Sequence, residues 1–483
     1  MIVDYVLLAS FTAITTFLGW NIVSLIQAPN GNLSLCRFET IGLSYIFGIG
    51  VISAQMFIMS LFGAGFTRLN ILSPWIAIVT INLIMVLRSR SLRSFEGGAC
   101  LQKQTPLCRF RLPARGEIAL ICLITLQVLY NFFRALVRPI ESYDAVAIYG
   151  LKSKMIYLAG GLGADFFQSL VSNFRGAHPD YPLLIPLAQS WFYTFLGRFD
   201  DILVKAIFPL FYLSCVFLIY GAIRRVSANR ILALISVYAL ASIKQFSDYS
   251  TIGYADLALG IYFAVSLIYL YMWFLSSDNT QFLRISLVGS VACLWVKNEG
   301  ALLVLIILLT LISFTVVNIY HVLFLRKRKK RVSLKPVVIY MLVCILCMLG
   351  WAGFKSGLGL INENFNLSMI NSTDFIRGLP KIPLILYEYQ KQIFGFKKWN
   401  IIWVLFFLLA LVRPRTIFRG NIKYLTFAFI LFALGYTSMY MFSAVDIGFF
   451  LQTSASRFPL HILPSVIFWM AVVWYERDPI QEQ

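Results

Sequence analysis

The chain has 483 residues, of which 59% are hydrophobic and only 13% charged. Its mean hydropathy is +0.79. Soluble domains carry about a quarter of their residues as charges, so a water-facing surface is excluded. The net charge of +20 marks membrane orientation and not nucleic-acid binding, because no basic stretch is interleaved with a stacking platform.

Apolar runs of roughly 17–25 residues suit helices crossing a bilayer, where every backbone N–H must be paired inside the segment. The expectation is an all-α, polytopic transmembrane bundle of about 13 spans, over 3–27, 41–66, 69–87, 116–137, 203–222, 231–245, 254–274, 281–296, 299–318, 336–353, 400–412, 424–443 and 459–475. The first span follows Asp4 and has no basic leader, so it reads as a retained helix.

Between the third and fourth spans, 88–115 holds seven Lys or Arg against Glu96; 326–335 reads RKRKKRVSLK. Cytoplasmic loops collect such residues. With 223–230 and 413–423 also inside, the N-terminus lies outside and the C-terminus inside. The short apolar stretch 182–197 would invert that parity as a span, so it is expected to be partly inserted or to lie at the interface. Residues 1–87 are expected as extra N-terminal helices, 88–115 as a basic cytoplasmic loop and 116–320 as the core, with an external loop at 138–181. Residues 321–483 form the C-terminal part, with an external loop at 354–399 carrying sequons at Asn366 and Asn371.

Eight cysteines are present. Cys344 and Cys347 form the one CxxC spacing, inside an apolar run without a second pair, so neither zinc nor a disulfide framework is expected.

Four motifs carry polar chemistry at helix ends on the expected outer face. Residues 138–161, RPIESYDAVAIYGLKSKMIYLAGG, read as an interface helix with Glu141 and Asp144 at its start. Asp144 is either a plain N-cap or a general base for an acceptor hydroxyl or amine. In AHPDYPLLIP, 177–186, two prolines stiffen the turn around Asp180. His178, Asp180 and Glu141 are compatible with a divalent metal, although no spacing demands one. In DYSTIGYADLALG, 248–260, Asp256 lies inside an apolar helix and needs a partner. In LWVKNEGALLVL, 294–305, Lys297 suits a phosphate as a point charge, with Asn298 and Glu299 beside it for sugar hydroxyls. Arg457, before the last span, is either an interfacial anchor or a second phosphate ligand.

In this order, ESYDAVAIYGLKSK, HPDYPLL, GYADLAL, VKNEGALL and SRFPLHILP resemble the GT-C superfamily of integral membrane glycosyltransferases. That superfamily includes protein O-mannosyltransferases and lipid A aminoarabinose transferases. The resemblance covers about 116–475 and rests on order and common side, since no single motif is specific. It implies a GT-C-like bundle with interface helices in the first large external loop. The implied reaction is inverting transfer from a polyprenyl-phosphate sugar to a lipid, glycan or protein acceptor. It implies a multi-pass protein of a bacterial inner membrane or the ER, active on the periplasmic or luminal face, with no tightly bound cofactor. Asp144 becomes the base, with Glu141 in competition, and Asp180 the second acid. Lys297 becomes a donor-phosphate ligand supported by Tyr254 and Asp256, with Arg457 a weaker one. The three leading helices depart from the family pattern. A transporter or flippase of a lipid-linked sugar, or a surface-polysaccharide polymerase or ligase, is the rival reading.

Overall fold

The computed structural model describes residues 2–27, 35–95, 113–163, 165–323, 332–360, 376–443 and 445–476, with backbone alone for 86–95 and at 175. Regular structure among these is helical, with no strand. Ten helices are long and apolar enough to cross a membrane. They carry large apolar side chains on their outside, among them Leu126, Phe133 and Leu346 at 62%, 63% and 66% exposure. Such a surface suits lipid and would aggregate in water. A multi-pass membrane protein follows. Residues 96–112 and 324–331 of the two charged loops, the sequons at Asn366 and Asn371, and Cys100 and Cys108 fall outside the described residues.

The chain divides into two compact units. The first comprises Met1–Ser169, Leu183–Ala241 and Tyr249–Tyr254. It contains α1 (Ile2–Gln27), α2 (Arg37–Leu61), α3 (Arg68–Phe95) and α4 (Arg115–Leu136), then α5 (Leu151–Ala159), α6 (Leu184–Leu196), α7 (Ile207–Ser227) and α8 (Arg230–Ala241). The leading helices belong to this unit: α2 packs on α1, α6 and α7. Arg225 of α7 donates twice to the buried Glu39 of α2, at 3.0 and 2.6 Å.

Within 138–161, expected as an interface helix, Ala145–Gly150 is a π-helix that runs directly into α5, and Lys152 is fully buried. The stretch 182–197, expected to be partly inserted or to lie at the interface, is helical. It forms α6, whose residues are buried except Thr194, with Trp191 donating to Thr15 of α1 at 3.3 Å. A helix apolar on all sides is stable where neighbours cover all sides. Gly197, at φ +81°, ends it.

The second unit comprises Leu170–Pro182, Ser242–Asp248 and Ala255–Gln483. It contains α9 (Asp256–Leu275), α10 (Thr280–Val296), α11 (Glu299–Leu323) and α12 (Leu334–Gly357), followed by α13 (Ile402–Val412), α14 (Ile422–Met441) and α15 (Phe458–Tyr475). Every residue of α9 but Leu275 is buried, against α10, α11 and α15. Tyr340 of α12 meets Ser286 and Ser290 of α10 at 3.0 and 2.6 Å. Such interhelical hydrogen bonds satisfy polar groups that lipid cannot.

The thirteen expected spans correspond to the ten long helices plus α8, α10 and α13, with 12, 17 and 11 residues. At about 1.5 Å per residue, α8 and α13 reach about 18 Å and 17 Å, and α10 about 26 Å. The hydrocarbon core is about 30 Å thick. Helices α8 and α13 are therefore too short to cross alone as straight helices, and α10 is at the lower limit of crossing length.

Candidate functional site

The polar centre of the second unit forms where helix ends meet. Asp256 opens α9, and a carboxylate is favoured at a helix start by the exposed N–H groups. Helix α10 stops at Lys297, whose backbone is extended (φ −161°, ψ 158°), and Glu299 opens α11. This break turns Lys297 onto two acids. Its Nζ lies 3.1 Å from Asp256 Oδ1 and 2.9 Å from Glu299 Oε1. The side chains of Asp256, Lys297 and Glu299 are only 1%, 5% and 11% exposed.

His461 of α15 completes the cluster. Its Nε2 is 3.0 Å from Asp256 Oδ1, and its Nδ1 is 2.7 Å from the hydroxyl of Tyr436 on α14. A carboxylate only accepts, so Nε2 carries the proton toward Asp256. The approach depends on Gly260, one turn after Asp256. A Cβ there would sit 2.8 Å from the Leu460 carbonyl oxygen and 3.0 Å from His461 Cα. Gly300 performs the same service at the break, where a Cβ would stand 1.9 Å from the Cys293 carbonyl oxygen.

Glu299 has one oxygen on Lys297, and its other, Oε2, is buried without a hydrogen-bond partner among the described residues. A buried acceptor left bare costs about 1–3 kcal/mol, more when charged. It marks a place for a donor group. Arg457, just before α15, acts electrostatically on Asp256.

Asn298, between Lys297 and Glu299, donates its amide to the buried Asp180 at 2.5 Å. Its amide oxygen faces Lys355 Nζ, near the end of α12, at 3.5 Å. Lys355 also feels the charge of Asp180. His178, two residues before Asp180, has a left-handed backbone (φ 48°) and stacks on Tyr181 with ring centroids 4.7 Å apart.

The second unit thus brings together Asp180, Asp256, Lys297 and Glu299, with Arg457 in electrostatic reach. Asp144, Glu141 and Tyr254 belong to the first unit. Asp144 is half-buried at the start of the π-helix, and its side chain makes no cap hydrogen bond, so the N-cap expectation is not met. Glu141 is exposed, 3.7 Å from Arg138. Tyr254 stands edge-on to Tyr249 at 5.6 Å. Among the described residues no three His, Cys, Asp or Glu side chains are grouped to hold a metal ion. Sequence reasoning missed His461, Tyr436 and Lys355. A histidine inside an apolar span was the available signal for the first.

No protein-family model, no curated protein and no solved structure matches the chain.

Proposed function

We propose that the chain is an inverting membrane glycosyltransferase that takes a sugar from a polyprenyl phosphate, on the non-cytoplasmic face, and gives it to a lipid, glycan or protein acceptor. One observation carries the reading. Two carboxylates, an ammonium and an imidazole are buried together at one end of the second unit's helices. Isolated charges there would cost several kcal/mol each, so their retention points to chemistry. The cluster lies at the starts of α9, α11 and α15 and the ends of α10 and α12. The basic residues Arg413, Arg415, Arg419 and Lys423 flank the opposite end of α14 and α15. Basic ends favour the cytoplasm, which supports an external site.

Displacing a phosphate from a sugar needs positive potential at the leaving group and a base for the acceptor. Lys297 is clamped by two acids that offset its charge, so positive potential at a leaving phosphate calls for a further cation such as Arg457, which acts on the same centre. Glu299 Oε2 suits a sugar hydroxyl. Tyr436 and His461 hold Asp256, which in turn holds Lys297. Of the two candidates for the base, Asp144 is half-buried and Glu141 exposed, and Asp144 is tested separately. A transporter would gather its charges near mid-membrane on broken helices, whereas these sit at helix ends. A polysaccharide polymerase or ligase would share the donor and differ in acceptor.

The test is reconstitution of the full chain with labelled polyprenyl-phosphate sugars, together with lipid extracts of cells lacking the protein. The expected result is build-up of one such donor in the extracts and its consumption by the reconstituted protein. Neither build-up nor consumption would end the reading. Asp144→Asn is expected to abolish transfer in a folded protein, and undiminished transfer removes Asp144 as the base.

A further inference from the structure

We propose that Lys355 is the direct ligand of a lipid-borne phosphate, at a subsite formed with Asn298 and Asp180 and flanked by Trp295, Trp351 and Phe354. It rests on reading the second unit's polar centre as a donor site, and it names the donor's anchoring atom. Two ammonium groups occupy that centre, and they differ in what holds them. Lys297 is bonded to two carboxylates, at 3.1 and 2.9 Å. An ammonium has three donors, so little of Lys297 is left for a ligand. Among the described residues the Lys355 ammonium makes one hydrogen bond, a long one of 3.5 Å to a neutral amide oxygen. It is half-buried, at the last turn of a membrane-length helix. A partly desolvated cation with spare donors favours an anion.

The acid nearby does not fill that role. Asp180 acts on Lys355 by charge, and it accepts the 2.5 Å hydrogen bond from Asn298 Nδ2. Asn298 therefore stands between acid and base and fixes both. Aromatic rings define the other side. Trp351 lies one turn before Lys355 on the same face. It stands edge-on to Trp295 of α10 at 5.4 Å and stacks on Phe354 at 5.4 Å. Half-buried tryptophans at a helix end sit at headgroup depth. A cation beside them meets a phosphate whose tail continues into the hydrocarbon. The chemistry is a phosphate ester on a lipid, either an isoprenoid phosphate or a phospholipid headgroup.

The experiment uses the full chain in nanodiscs of phosphatidylcholine. Water-dispersible isoprenyl phosphate, the matching isoprenol, inorganic phosphate and phosphatidylglycerol are titrated separately, with tryptophan fluorescence as the readout. Isoprenyl phosphate is expected to bind, and Lys355→Met to weaken it about tenfold or more, as loss of a charge-assisted hydrogen bond does. Lys355→Arg is expected to restore most of the affinity, and isoprenol binding to be the same in all three. The same Lys355→Met loss for phosphatidylglycerol in place of isoprenyl phosphate would support the subsite and name the phospholipid as its source. Equal affinity of the Met variant and the parent for every phosphate lipid overturns the proposal. So does inorganic phosphate competing as strongly as its lipid ester. A readout without a variant is protection of Lys355 from acetylation by isoprenyl phosphate or by phosphatidylglycerol, followed by mass spectrometry, and protection by neither also overturns it. Binding is scored without turnover, so a Lys355-dependent subsite stands even where no sugar transfer is found.

Discussion

Replacing Lys297 by Met leaves two acids facing each other, with Asp256 and Glu299 only 1% and 11% exposed at the side chain. Removing one partner of a buried ion pair costs about 3–5 kcal/mol. Asp256→Asn is milder. Lys297 keeps Glu299 at 2.9 Å, and the Asn amide oxygen still accepts from His461. That change costs about 1.5–3 kcal/mol, the worth of a hydrogen bond to a charged group. In the double variant the second change removes an acid that the first had stranded, so the penalties do not add. We expect a coupling of about 1.5–3 kcal/mol between the two positions. The assay is equilibrium unfolding of the four proteins in mixed micelles by SDS titration, followed by tryptophan fluorescence. Additivity within about 0.5 kcal/mol, the behaviour of independent sites, would refute the Lys297–Asp256 pairing and the site built on it.

Gly260→Val is expected to separate α9 from α15, because its Cβ would meet the Leu460 backbone at 2.8 Å, with an overpacking cost of about 1–3 kcal/mol. A lowered thermal midpoint checks this, and an unchanged midpoint denies the close approach. Glu39→Ala strands the Arg225 guanidinium, whose side chain is 12% exposed, and is expected to cost about 3–5 kcal/mol. The same unfolding titration checks it, and a change below about 1 kcal/mol would count against the ion pair. Burial pushes the Cys36 thiol up to about 12 from 9.0. Its thiolate is then depleted on the order of a thousandfold at neutral pH. Maleimide labelling at pH 8 should be slow in native micelles and fast in SDS, and equal rates would show that the thiol is not buried.

What the sequence disclosed follows physical lines. Apolar run length revealed the membrane class and all thirteen apolar helices, since lipid imposes both on composition. The expected spans 231–245, 281–296 and 400–412 were already short, as the helices α8, α10 and α13 are. For the helix Leu184–Leu196 the expectation of a partly inserted or interface-lying segment rested on its short length and on loop-charge parity. Its apolar character on every side, visible in PLLIPLAQSWFYTFLG, is the mark of a helix enclosed by others. Asp256 and Lys297 were legible because a charge in an apolar run is expensive and stands out. Their pairing with each other was only partly so, as 41 residues separate them. His461 and Tyr436 escaped notice because their meaning is their contact across 25 residues.

The contrast between the two lysines bears on the reading of charges in membranes more widely. Lys297 is the conspicuous one in sequence, flanked by Asn298 and Glu299 at a break between two apolar runs. Conspicuousness follows from burial, and burial requires partners in advance of any ligand. Asp256 and Glu299 supply them, so the residue that looked most like a phosphate ligand is the one whose donors are most occupied. Lys355 looks like an ordinary anchor at the end of a span. Among the described residues its one hydrogen bond is the 3.5 Å contact to an amide oxygen, with Asp180 acting on it by charge. On the proposal above, a lipid phosphate brings Lys355 the kind of anionic partner that Asp256 and Glu299 already give Lys297.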